Sequence, residues 1–232
     1  MTAKPTLFLI LACTLAAGAS AIEPKALEDV DISQMTRETQ KTLHTEGVHL
    51  VWWIPPEYWA ASMQREGSMT EDQRKALMDV MENYSMLGVV QAEVSPFGSF
   101  SFYERELTRK GLSIEIIEDG KGRPLEPIEE LPPELQMLLK ILAPVLEGAL
   151  GNMGKNLYFF VLPDRIEGER VMSPFGRSAL SVTLTSKKGT VFEPVVFEMP
   201  LDALYVPRRC PNGKPAHVSW VVCPWDGSPL PK

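Results

Sequence analysis

The chain has 232 residues, with 23 basic and 30 acidic side chains, a formal net charge of −7 and 44% hydrophobic residues. That length and apolar share suffice for a sizeable core in one domain, with room for a small appendage. The acidic balance excludes the basic footprint that nucleic acid or an anionic lipid surface requires, and three cysteines with three histidines are little material for metal or thiol chemistry.

The chain opens with one positive charge, Lys4, runs apolar from Leu7 to Ala17, breaks at Gly18 and reaches Ala19-Ser20-Ala21. This is the pattern of a secretory signal over residues 1–21, too short to span a bilayer, with cleavage expected after Ala21. Cleavage there removes Lys4 and no acid, which brings the net charge to −8. Ile10-Leu11-Ala12-Cys13 also resembles the lipobox of bacterial lipoproteins, in which the cysteine becomes the lipidated first residue. Both readings place the protein outside the cytoplasm, free in one and anchored to a membrane through Cys13 in the other.

Asp31-Ile32-Ser33-Gln34 has the form of a helix start, and a helix is expected over 32–46, stopped by Gly47, with so thin an apolar stripe that it lies on the surface or acts as a spacer. Residues 22–47 are therefore read as an N-terminal helix and linker. Val48 to Trp59 is a strongly apolar stretch, with three tryptophans, and must be interior or an interface. Leu50–Ile54 suits a buried strand, and Pro55-Pro56 starts a short helix that carries Trp59 and Met63 on one face. Trp52, Trp53, Glu57, Tyr58 and Trp59 are the binding candidates. Glu57 either titrates high under the indoles or serves as a first-turn partner of the helix dipole.

Thr70-Glu71-Asp72-Gln73 is a capping box, and Leu77, Val80, Met81 and Tyr84 follow at helical spacing. From Met86 the period changes to two. Val90, Ala92 and Val94 lead through the turn Ser95-Pro96-Phe97-Gly98 to Phe100 and Phe102, and Leu112, Ile114 and Ile116 lead to the turn Asp119-Gly120. Such short connections imply antiparallel pairing. After an acidic connection from Pro124 to Pro133, Leu135, Leu138, Leu139, Leu142, Val145, Leu146 and Ala149 form a wide stripe opposite Lys140 and Glu147, suited to the core or to a partner or lipid surface. Pro144 is expected to kink this helix or mark a joint in it. Strands are then expected over Leu157–Leu162, at Leu180, Val182 and Leu184, and over Val191–Phe197, broken by Pro194, with a charged loop from Arg165 to Arg170.

Motifs for catalysis are missing. Gly151-Asn152-Met153-Gly154-Lys155 lacks the first glycine and the hydroxyl of a phosphate-binding loop, Gly176-Arg177-Ser178 is not a nucleophile elbow, and His44 and His49 straddle Gly47 with no zinc-helix spacing.

The tail reads Arg209-Cys210-Pro211-Asn212-Gly213-Lys214-Pro215 and then Val222-Cys223-Pro224-Trp225-Asp226-Gly227. Each half resembles a zinc-ribbon knuckle, Cys-Pro-x-Cys-Gly, but keeps only the first cysteine, and Asp226 stands where the last one would. The resemblance implies a small β tail over 206–232 that brings Cys210 and Cys223 together. In an oxidising compartment that pair is expected to form a disulfide, closing a loop of about 14 residues and contributing about 3 kcal/mol in the chain-entropy picture. The weaker alternatives are two free thiols and a residual zinc site of Cys210, Cys223, Asp226 and His217; no other cofactor is expected. The Trp-Ile-Pro-Pro-Glu-Tyr-Trp and Cys-Pro-Trp-Asp-Gly segments together also resemble a family of uncharacterised exported bacterial proteins, which implies export and no particular reaction.

The expectation is thus an α+β domain over 48–205, with a mainly antiparallel sheet of five or six strands and three or four helices, plus the zinc-ribbon-like tail. The function read from it is that of an exported, non-catalytic binding or structural envelope component. Its partner is an envelope protein or small ligand, with a membrane involved only if Cys13 is lipidated. The alternatives are an extracytoplasmic hydrolase working through carboxylates, and a metal or redox role of the tail.

Overall fold

The computed structural model describes residues 22–65 and 69–230, so the expected signal segment, with Cys13, lies outside the described residues. The elements, in chain order, are a 3-10 turn at Leu27–Asp29, α1 (Ile32–Thr39), β1 (Gln40–Leu43), β2 (Val48–Ile54), α2 (Pro56–Arg65), α3 (Glu71–Met81), β3 (Tyr84–Val94), β4 (Phe100–Phe102), α4 (Arg105–Lys110), β5 (Leu112–Glu118), β6 (Lys121–Pro124), α5 (Pro133–Leu150) and α6 (Asn152–Lys155). There follow β7 (Tyr158–Pro163), the short pair β8 (Arg165–Ile166) and β9 (Glu169–Arg170), β10 (Ala179–Leu184), β11 (Val195–Glu198), a 3-10 turn at Asp202–Leu204, and β12 (Arg208–Arg209) with β13 (Pro215–Ala216). The fold is α+β and all its strand pairs are antiparallel.

Two sheets make the body. In the first, β3 is the central strand: β1-β2 lie along one edge, and β7 and β4 share the other, β7 on Tyr84–Val89 and β4 on Ala92–Val94. The second has the order β11-β10-β5-β6. Strand alternation then sorts the side chains. Val51, Trp53, Leu87, Val89, Phe160 and Leu162 face the second sheet and pack against Ile114, Ile116, Leu180, Val182, Leu184 and Phe197. The opposite face of the first sheet, with Ile54, Met86, Val90, Phe159 and Val161, is covered by Leu77 and Met81 of α3 and Leu135, Leu138 and Leu139 of α5. Helices, first sheet and second sheet therefore form three layers with two apolar interiors.

Some elements differ from expectation for identifiable reasons. The helix expected to run to Glu46 ends at Thr39, because Gln40–Leu43 finds a partner in Trp52–His49 of β2 and becomes an edge strand. Nor is α1 a surface spacer: Met35 is fully buried, and Arg65 Nη2 donates to the Val30 carbonyl at 2.7 Å. The count of strands exceeds the expected five or six because short pairs such as β8-β9 and β12-β13 carry no alternating apolar signal. α5 runs through Pro144 as one helix. Its apolar residues do not all turn inward, since Met137 and Ile141 are exposed, and the side chains of Val145, Leu146 and Ala149 lie outside the described set. Gly47, beside the left-handed Glu46, allows the close approach that β1-β2 requires: a Cβ there would stand 2.1 Å from the Ala92 carbonyl oxygen.

Candidate functional site

The aromatic segment divides between the two interiors. Trp53 is fully buried between the sheets, and its indole N–H donates to Ser85 Oγ at 3.3 Å. Trp52 points to the helical side, edge-on to Tyr58 with ring centres 5.5 Å apart, and Tyr58 meets Trp59 edge-on in turn at 6.2 Å. Thr36 Oγ1 donates its proton to the Ile32 carbonyl, so the Tyr58 hydroxyl is the donor in their 3.0 Å contact and ties α2 to α1. The indole nitrogens of Trp52 and Trp59 are buried and find no partner among the described residues. These rings are half-buried or buried and pack on one another.

Glu57 belongs to an ion-pair cluster for which the sequence held no signal beyond the charges themselves. The Arg170 guanidinium, from β9, grips the Glu57 carboxylate with both terminal nitrogens, the second at 2.8 Å, and donates through Nε to Asp164 Oδ2 at 2.9 Å. The other oxygen of Asp164 accepts from the Met172 N–H at 2.8 Å, and the Asp164 side chain has no solvent exposure. Burial pushes the Asp164 carboxyl above its ordinary range, with the Arg170 charge opposing the rise. Burial alone would pull Arg170 down, but its bonds to Glu57 and Asp164 hold it firmly protonated. All three nitrogens of the guanidinium are engaged, and the two carboxylates share it between them. The cluster clamps α2 to the β8-β9 hairpin.

His49 is also internal. Its ring stacks on Phe192 with centres 4.4 Å apart, Nε2 lies 3.1 Å from the Thr45 carbonyl and so carries the proton, and Nδ1 has no partner. Burial lowers its pKa below the ordinary value. His44 is at the exposed end of the β1-β2 connection.

The tail forms a separate small unit. A disulfide joins Cys210 to Cys223, with Cα atoms 5.6 Å apart, and both cysteines pack with Ala216 and Leu230. Each cysteine heads a tight turn closed by a pair of backbone bonds, the second turn one residue longer than the first. Gly213 N–H donates to the Cys210 carbonyl and Cys210 N–H to the Lys214 carbonyl; Gly227 N–H donates to the Cys223 carbonyl and Cys223 N–H to the Ser228 carbonyl, all at 2.8 Å. Gly213 and Gly227 have φ of 81° and 73°, which the turns demand. Asn212 Nδ2 donates to Asp226 Oδ2 at 2.9 Å and so braces one turn against the other, while the Ser228 hydroxyl and N–H hold the Asp226 carboxyl below its ordinary range. His217 faces elsewhere: Nδ1 is 2.7 Å from Ser219 Oγ and Nε2 is 3.7 Å from Asp202. Among the described residues no group of three or more His, Cys, Asp and Glu side chains is arranged to hold a metal ion. Arg208, almost fully buried, ties the unit together internally by donating to the carbonyls of Val218 at 2.7 Å and Trp220 at 3.2 Å, and the Val218 N–H joins it to the body by donating to Asp202 Oδ1 at 2.7 Å.

Among the residues the tail turns outward is an apolar run. Val221 and Trp225 are each 57% exposed and Val222 51%, beside a partly exposed Trp220, with the Lys214 ammonium 4.2 Å from the centre of the Trp225 ring. An open groove of about 450 Å³ between α2 and α3, lined by Met63, Arg74 and Met78 among others, holds none of the five candidate residues of the aromatic segment. No helix among the described residues is long and apolar enough to cross a membrane. No protein-family profile, no curated protein and no solved structure matches the chain.

Proposed function

We propose that the protein is an exported binding component of the cell envelope, and that the C-terminal unit presents its docking face. The observation that carries this is the exposed run Val221-Val222 with Trp225 on a pair of turns fastened by a disulfide. An apolar face on a flexible tail would lose much of its binding energy to ordering; on a cross-linked scaffold that entropy has already been given up in folding. The tail is, on this reading, a ribbon-type scaffold in which one sulfur–sulfur bond replaces the metal. The duplicated turn hydrogen bonds around Cys210 and Cys223 support it. Export is supported by the leader pattern of residues 1–21 and by a disulfide that an oxidising compartment would preserve. The five aromatic and acidic residues of 52–59 serve the body instead, since each is packed or ion-paired within it.

The test is site-specific photo-crosslinking in cells that express the full chain. A photoreactive residue at Val221 or Trp225 should give a discrete adduct with an envelope protein, and one at the exposed Lys75 of α3, in the helical layer, should not. Equal labelling from all three positions would refute a docking face on the tail. The mass of the purified product separates cleavage after Ala21 from lipidation at Cys13.

A further inference from the structure

α5 carries an exposed seam on the side away from the core. Leu135, Leu138 and Leu139 turn toward the first sheet, while Met137, Ile141, Pro144 and Gly148 lie in the open, Met137 at 65% and Ile141 at 56% exposure. Their spacing of four, three and four residues is that of a heptad seam, the pattern by which one helix lies along another. Lys140 and Glu147 are exposed, one heptad apart, on the same flank of the seam, each immediately preceding a seam residue.

That flank decides the occupant. Two copies of a helix laid side by side in opposite directions bring Ile141 of one opposite Pro144 of the other, and Met137 opposite Gly148. Lys140 of each copy then faces Glu147 of its mate, giving two symmetric charge pairs, whereas a parallel arrangement in register would set Lys140 beside Val145 and Glu147 beside Asn152 of the mate and leave both charges unpaired across the seam. Gly148 leaves room for the longer Met137 side chain. We infer that α5 is a self-recognition surface through which two copies of this chain associate in antiparallel fashion. Glu147 also lies 3.1 Å from Lys155 of its own chain, but both side chains are more than half exposed and the pair is readily exchanged. The inference is independent of the docking face on the tail, which lies on another part of the fold.

Sedimentation of the mature protein over a range of concentrations should show a monomer–dimer equilibrium. Lys140→Glu and Glu147→Lys should each shift the midpoint at least about tenfold toward monomer, and the double exchange should restore it, because the charges still alternate across the axis. Pro144→Cys, close to the two-fold axis, should form an intermolecular disulfide on mild oxidation, and a cysteine replacing the exposed Glu118 should not. A strictly monomeric protein, a double exchange as weak as the single ones, or crosslinking equal at both positions would overturn the inference. All three charge variants alter exposed side chains and are expected to fold, which circular dichroism checks.

Discussion

At the scale of single residues, the buried Asp164 carboxylate depends on one guanidinium, that of Arg170, which it shares with Glu57. Removing Arg170 leaves Asp164 buried without its counter-ion, a change expected to cost about 3 kcal/mol. The pH dependence fixes the mechanism. Since the folded value of Asp164 lies above the ordinary 3.8, its ionisation weakens the fold, and that loss grows as pH rises from 3.8 through the folded value. Arg170→Ala should therefore be mildest in acid and harshest near neutrality when urea unfolding is compared at about pH 4 and about pH 7; equal losses would mean that packing, not charge, is at stake. His49 behaves in the opposite sense. The fold holds it neutral, with a pKa below 6.5, so the unfolded chain takes up a proton first as the medium is acidified. Stability that is complete above 6.5 is lost as pH falls through the folded value. The melting temperature should fall more steeply from about pH 7 to about pH 5 in the native protein than in His49→Gln. Neither role was legible beforehand: a lone histidine and a loop arginine signal nothing until β2 and the β8-β9 hairpin fix what surrounds them.

At the scale of elements, local chemistry was readable where it is self-contained. The capping box at Thr70 forms as its residues require, with Gln73 N–H to Thr70 Oγ1 at 3.3 Å and Thr70 N–H to Gln73 Oε1 at 2.9 Å. Thr70→Ala should cost about 1 kcal/mol in the same unfolding measurement. The hairpin turns at Ser95–Gly98 and Asp119-Gly120 also fall where glycine and proline place them, with Asp119 and Gly120 both at positive φ. Legibility failed where partners are distant. Nothing inside Gln40–Leu43 says strand; β2 imposes it, and the helix pattern through Glu46 loses to a ladder of tertiary hydrogen bonds. The same holds for Gly47, whose necessity depends on a carbonyl 45 positions away at Ala92. Gly47→Ala should destabilise by about 2 kcal/mol or more, since the obstruction is backbone rather than a side chain that can swing aside. A variant that melts with the native protein would mean that the β1-β2 connection shifts freely.

At the scale of the whole molecule, the tail's small apolar cluster of Cys210, Ala216, Cys223 and Leu230 is separate from the two interiors of the body. Loss of the disulfide should therefore act locally. In the Cys210→Ser, Cys223→Ser double variant, amide hydrogens of the tail turns should exchange faster by the equivalent of about 3 kcal/mol, while those of β3 and β10 keep their protection. Uniform acceleration would show the tail to be part of one cooperative unit. The body has its own means of closure. Pro24 forms a bridge with Tyr205, the Lys25 backbone N–H reaches the Leu204 carbonyl, and Lys25 Nζ donates to the Ala203 carbonyl across 178 positions of sequence. A ribosome delivers these two stretches far apart in time, so the first-made segment must wait, without its mate, until almost the entire body has emerged. This tie between the two stretches can form only once residues 203–205 have been made.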